Sequence, residues 1–255
     1  MGKFDSFELL NDAILKFEDW GWFNRTPAFI YDYQEMYPHF KKLEDNHAVI
    51  QEECKALFKH YSELKDIKGM AGEETEAGIH TLKWKSFMFK SGVFIEENCD
   101  LCPKTAEILK GVPDIYTAFF SILEPQQHIT PHQGYFQGFL RYHMGIIIPD
   151  NNEHKKCWLR INGDFEDNQN KDKASIEKGE VYHWKNGEGI IFNDNYMHDA
   201  ANFTDEIRVI LWIDVLRKFP KPVEWFLKSL LFIALKTPQA RAIAKKNKVT
   251  FSDKL

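Results

Sequence analysis

Hydrophobic spacing divides the chain into a helical part and a strand-forming part. Over residues 4–20, Phe7, Leu10, Ile14 and Phe17 recur at helical intervals and predict a short amphipathic helix. Residues 21–38 are rich in aromatics but broken by Pro27 and Pro38, the pattern of a packed loop. Leu43, Val49, Ile50, Cys54, Leu57 and Leu64, set among many charges, predict one long amphipathic helix over 40–64. A polar, glycine-containing stretch at 66–78 reads as a linker. From residue 79 the apolar period shortens. Residues 82–95 alternate apolar and polar positions, the signature of half-buried strands. A helix over 103–110 follows, and then short apolar runs at 118–123, 139–149, 157–161, 182–192 and 207–215. Many short strands separated by turns predict a mainly β sandwich, jelly roll or barrel. The run at 225–236 is apolar on nearly all sides and predicts one more helix. Three parts result: an N-terminal helical extension (1–75), a β domain (76–220) and a basic C-terminal helix and tail (221–255).

Composition adds two constraints. With 44 % hydrophobic and 15 % aromatic residues, the 255-residue chain can bury a large core and is not a disordered polymer. Its net charge of −5 is unevenly spread. Residues 217–255 hold ten Lys and Arg against Glu224 and Asp253, or +8, which leaves −13 for the rest. That asymmetry makes the tail a candidate for peripheral contact with an anionic membrane surface. Nothing in the pattern points to nucleic acid. No window reaches the roughly 18 apolar residues of a membrane span, and the acidic, interrupted N-terminus is neither a signal nor a transit peptide. A soluble, cytoplasmic protein is expected, with the inner membrane face as its candidate surface. Met1, Gly2 and Ser6 formally match a myristoylation pattern. Of the cysteines, Cys54, Cys99, Cys102 and Cys157, only Cys99 and Cys102 have metal or redox spacing, and no second such pair completes a zinc site. Reduced thiols are expected.

The candidate chemistry lies in two β-prone stretches. Residues 121–149 contain His128, His132, His143 and Arg141, polar groups that are expensive to bury without partners. Residues 184–215 add His198 and, ten positions on, Arg208. Two neutral imidazoles projecting from adjacent strands can hold a divalent transition metal such as Fe(II). An arginine one strand over can pair fork-to-fork with a carboxylate bound beside the metal. A dicarboxylate that chelates iron at one end and meets an arginine at the other is 2-oxoglutarate.

These residues resemble the aspartyl/asparaginyl β-hydroxylase superfamily of Fe(II)/2-oxoglutarate dioxygenases. The resemblance runs from about residue 43 to 220 and rests on three blocks. The first is Trp84 with Cys102, Pro103, Lys104 and Thr105. The second is 121–149, including His132-Gln133-Gly134 and Leu140-Arg141-Tyr142-His143. The third is Trp184-Lys185-Asn186-Gly187 through Phe192, with His198, Asn202 and Arg208. The resemblance implies a double-stranded β-helix core flanked by helices. It also implies hydroxylation of an unactivated C–H by O2, coupled to decarboxylation of 2-oxoglutarate to succinate. By the same resemblance His132 and His198 bind iron, Arg208 with Ser121 holds the distal carboxylate, Arg141 and His143 steady the carboxylate at the metal, and Asp194 supports the metal from behind. Wider relatives complete the iron site with His-x-Asp, whereas this chain has Gly134 in the third position.

The substrate rests on one departure. Peptidyl-aspartate hydroxylases that resemble this chain carry an arginine two residues before the position of Arg141, and it pairs with the substrate carboxylate. Phe139 stands there. A phenyl ring does not offset desolvation of a carboxylate but suits an apolar chain. With GFLRYHMG (138–145), WKNGEG (184–189) and the apolar-then-basic tail, Phe139 favours a lipid acyl chain as substrate, which puts Phe139 in the substrate pocket. The alternatives are an Asp or Asn side chain of a peptide, a small metabolite, or a non-catalytic cupin-like binding module.

Overall fold

The structure, a computed structural model, describes residues 6–67, 82–235 and 238–252. The expected linker beyond residue 67, the boundary at 75/76, and Met1 and Gly2 of the acylation pattern lie outside them. The strands are β1 (Phe29–Ile30), β2 (Lys65–Asp66), β3 (Trp84–Ser91), β4 (Val93–Phe94), β5 (Ile115–Leu123), β6 (Gln127–His132), β7 (Phe139–Ile147), β8 (Cys157–Ile161), β9 (Glu180–His183), β10 (Gly189–Phe192), β11 (His198–Asn202) and β12 (Arg208–Leu216). They form an eight-stranded sheet in the order β1-β10-β7-β12-β5-β3-β2, with β4 on β3, and a four-stranded sheet in the order β6-β11-β8-β9. Every ladder within them is antiparallel.

From β5 onward the chain shuttles between the sheets. β5, β7, β10 and β12 lie in the large one, and β6, β8, β9 and β11 in the small one. That is a double-stranded β-helix, the fold expected from the sequence. Period-2 alternation gives each large-sheet strand two destinations. On β7, Leu140, Tyr142, Met144 and Ile146 face outward into a core shared with Phe40, Leu43, Ile50 and Leu57 of the N-terminal segment. Arg141 and His143, the alternate residues, face inward.

The helical parts hold three corrections. The single helix expected over 40–64 is broken into Lys41–Asp45, His47–Leu57 and a 3-10 segment, Phe58–Glu63. Asn46 breaks it: its backbone leaves the helical region (φ −108°, ψ 18°) while its side-chain amide donates to Lys42 O at 2.8 Å. Residues 21–38 are not loop throughout, since β1 extends the large sheet beyond β10 and Tyr33–Met36 forms a helical turn. The last apolar run starts earlier than expected, as helix Lys221–Leu235. It is not apolar to no purpose: Leu227 and Leu231 bury against Ile14, Phe136, Phe139, Leu216 and Phe219, closing one end of the β-helix. The helix over 103–110 is present as Pro103–Lys110. All four cysteines are free and buried. No helix among the described residues is long and apolar enough to cross a membrane.

Candidate active site

Hydrophobic spacing missed the strands that carry the two candidate ligands, because neither is apolar enough to announce itself. β6 contains Gln127, His128, Thr130, Pro131 and His132, and it survives a proline because it is the edge of its sheet. β11, HDAAN, is polar yet fully buried. His198 begins β11, since β10 stops at Phe192 and a turn intervenes. In the register of β6 and β11, His132 sits directly opposite His198, with ring centroids 4.2 Å apart. His132 Nδ1 lies 2.8 Å from Thr130 O, and His198 Nδ1 lies 2.9 Å from Tyr196 O. Each carbonyl accepts only from a protonated Nδ1, which leaves the Nε2 lone pair free to bind a metal. Burial lowers His132 to about 4 and holds His198 well below the usual imidazole range, so both rings are neutral. Among the described residues no group of three or more His, Cys, Asp or Glu could hold a metal. The protein donors are two imidazoles.

Arg208 stands not one strand over but across the interior, at the start of β12 in the opposite sheet. It is 1 % exposed, and its Nε and Nη1 have no hydrogen-bond partner. Its guanidinium lies 4.8 Å over the Trp184 ring. Burial alone lowers it to about 10. Both ring nitrogens of His143 and the Trp184 Nε1 are likewise buried without partners. His143 is held by rings, 4.8 Å from Phe192 and 4.9 Å from Trp212, and burial keeps it neutral. Ser121 Oγ accepts from Trp84 Nε1 at 2.9 Å. Ser121, His132, Arg141, His143, His198 and Arg208 all line one small cavity, about 20 Å³, walled by Trp84, Trp184 and Trp212. Buried donors without acceptors are rare in folded proteins, and a cluster of them around one cavity is a site for an anion.

The other arginine is different. Arg141 Nη2 pairs with Asp194 Oδ2 at 2.7 Å, and its Nε donates to Asp214 Oδ1 at 3.0 Å. Its guanidinium stacks 3.9 Å over Trp212, whose Nε1 donates to the same Asp214 oxygen at 3.1 Å. Arg141 thus reaches the cavity already paired with two carboxylates. Burial raises Asp194 to about 6, against the pull of Arg141. A Cβ on Gly134 would stand 2.3 Å from Asp194 Oδ2. The carboxylate of Asp194 occupies the space that a side chain at position 134 would need, so a His-x-Asp arrangement does not fit here.

Phe139 shares the inward face of β7 with Arg141 and His143 but does not line the cavity. Its ring packs 4.9 Å from both Tyr116 and Phe136, in the cluster closed by helix Lys221–Leu235. His128, to which the sequence assigns no chemistry, pairs with Asp199 Oδ2 at 2.8 Å, and Arg160 grips the same carboxylate. Asp214 is the site residue that spacing missed. Its signal is an acid in the otherwise apolar run VILWIDVL, in phase with Arg208, Ile210 and Trp212 on β12.

Sequence comparison shows the family. The profile of the aspartyl/asparaginyl beta-hydroxylase family matches residues 44–218. The chain is 32 % identical over 203 residues to the ornithine lipid ester-linked acyl 2-hydroxylase of Rhizobium tropici, covering 79 % of this chain and 66 % of that protein. It is 28 % identical to aspartate beta-hydroxylase domain-containing protein 2 of Xenopus tropicalis, covering 68 % of this chain and 43 % of that protein. It is 26 % identical to human aspartyl/asparaginyl beta-hydroxylase, covering 69 % of this chain and 20 % of that protein. It therefore spans less than two thirds of the length of each. The chain belongs to the aspartyl/asparaginyl β-hydroxylase family.

Proposed function

We propose that the protein is an Fe(II)/2-oxoglutarate-dependent dioxygenase that hydroxylates an unactivated C–H of a lipid acyl chain. One observation carries the cofactor assignment: the buried Arg208 guanidinium, with Nε and Nη1 unpaired, faces the cavity that holds the two metal-competent imidazoles. A buried cation without a counter-ion is costly, and an anion bound there relieves it. His132 and His198 would hold the iron through Nε2. Arg208 would take the distal carboxylate of 2-oxoglutarate, with Ser121 Oγ and Trp184 Nε1 as nearby hydrogen-bonding groups. Bound together with O2, iron and 2-oxoglutarate supply oxidation of the C–H, with succinate and CO2 as co-products. The protein orients these groups. Neutral His143 leaves the metal end uncrowded by a second proton, and Trp84, Trp184, Phe192 and Trp212 keep water out. Asp214 acts through Arg141 and Trp212, fixing both on the inward face.

Two observations favour an acyl substrate. Phe139, where the peptide hydroxylases carry an arginine for the substrate carboxylate, is packed among Phe136 and Tyr116 and offers no cation. The Rhizobium tropici relative is itself named as an acyl hydroxylase. The peptide Asp/Asn reading has its own support, a groove of about 310 Å³ beside Gly134 with amide groups from Asn11, Gln133, Gln137 and Asn193. Purified protein with Fe(II), ascorbate and 2-oxoglutarate should release succinate when given host lipids, and the product acyl chain should be heavier by one oxygen. Succinate release with no lipid product, together with oxygen gained by an Asp-containing peptide, would replace the acyl reading. Absence of bound metal and of succinate with every substrate pool would leave only the cupin-like binding module.

A further inference from the structure

Helix Lys221–Leu235 has two unlike faces. Glu224, Leu227 and Leu231 turn inward, the leucines onto the apolar cluster that closes the β-helix. The opposite stripe presents Trp225 (68 % exposed), Phe226 (57 %) and Ile233 (63 %), large apolar groups left in water. The polar residue on this stripe, Ser229, donates its hydroxyl back to Trp225 O at 2.8 Å, so it adds no charge. Lys221, at the start of the helix, pairs with Glu224 at 3.6 Å. Beside the start of this helix lies a second apolar group. Phe23 meets Phe219 edge-on at 5.2 Å, and Phe17, 6.4 Å from Phe23, carries Trp20 and Trp22, which are 65 % and 62 % exposed. Helix Pro238–Lys246 follows, with Ala244 buried and Ile243, Lys245 and Lys246 outward.

We infer that this end of the molecule is a peripheral membrane-docking surface whose partner is an anionic phospholipid bilayer. Three features select that occupant. Trp and Phe belong at the boundary between headgroup and acyl chain, where an aromatic body is buried and a polar edge stays wet. A helix lying flat with a continuous apolar stripe and basic neighbours is the form of an interfacial helix. Charge agrees at Lys245 and Lys246, which are exposed and make no ion pair among the described residues, whereas Arg217, Lys218, Lys221, Lys228 and Lys248 are paired with acids. The surface also backs onto the site. Leu227 and Leu231 bury in the cluster that contains Phe139, and Phe139 stands two residues from Arg141 on the inward face of β7. The docking itself does not depend on the acyl-chain reading, and its test needs no turnover.

The test is co-sedimentation of the full chain with extruded vesicles, equal parts phosphatidylglycerol and phosphatidylcholine, against phosphatidylcholine alone. Wild-type protein should pellet with the anionic vesicles, and added salt should weaken the association. A Trp225→Gln/Ile233→Gln variant removes surface groups and should keep its melting temperature, yet lose partition by on the order of tenfold or more. Lys245→Gln/Lys246→Gln should weaken binding to anionic vesicles specifically. Three results would each overturn the inference. They are no pelleting of wild type, equal pelleting of wild type and the Trp225/Ile233 variant, or a solution dimer that the same variant dissociates.

Discussion

Two arginines face the interior of this β-helix from neighbouring strands, and they are in opposite states. Arg141 on β7 is gripped by Asp194 and Asp214 and stacked on Trp212. Arg208 on β12 is more deeply buried and has Nε and Nη1 unpaired. Folding accounts for the first, because two carboxylates and an indole offset the desolvation of its charge. Folding does not account for the second, which costs stability until an anion arrives. A satisfied buried charge is architecture, whereas an unsatisfied one leaves room for an anion.

Opposite consequences follow from removing them. Arg141→Met strands two buried carboxylates and should destabilise the protein by about 3–5 kcal/mol, measured by denaturant unfolding without ligand. Equal stability of this variant and wild type would dissolve the contrast. Arg208→Met removes a desolvated, unpaired cation and should leave the ligand-free protein as stable as wild type or more stable, by about 1–3 kcal/mol. For wild type carrying a redox-inert divalent metal, 2-oxoglutarate at about 100 times its dissociation constant should add about 2.7 kcal/mol of stability. Because Trp84, Trp184 and Trp212 wall the cavity, the same titration should change tryptophan fluorescence, and an unchanged spectrum would place the anion elsewhere.

The smallest effect concerns His143. Burial keeps this ring neutral in the folded protein, while the unfolded chain takes up its proton near pH 6.5. Below that pH the unfolded state binds more protons, so stability falls on acidification, by up to about 1.4 kcal/mol per pH unit from this one group. The stability is present above pH 6.5 and is lost below it. His143→Phe fits the surrounding rings and should reduce the slope between pH 6.5 and 5 by this one group's share, leaving the part that buried His132 and His198 contribute. An unchanged slope would assign the acid sensitivity to other groups.

The outline of this site was open to reading from the residues. His132, His198 and Arg208 stand out as polar groups in strand-forming sequence, and period-2 runs disclose most of the large sheet. What stayed hidden was pairing. β6 and β11 are too polar to register as strands, although they carry both imidazoles, because their burial is enforced by the sheet rather than by their own hydrophobicity. The same holds for Arg141. Spacing shows an inward arginine, but only the fold brings Asp194, from the turn after β10, and Asp214, from β12, to its two sides. Asn46 likewise breaks a helix that hydrophobic period alone would continue. The C-terminal helix hides its two faces because a nearly uniform apolar run does not say which side the core will take.

The central claim is that Arg208 awaits the distal carboxylate of 2-oxoglutarate. Calorimetric titration of 2-oxoglutarate into metal-loaded wild type and Arg208→Met, under anaerobic conditions, tests it most directly. The account predicts tight binding to wild type and a loss of about 2–5 kcal/mol in the variant, with its metal affinity unchanged. Equal affinity of the two proteins for 2-oxoglutarate would contradict it.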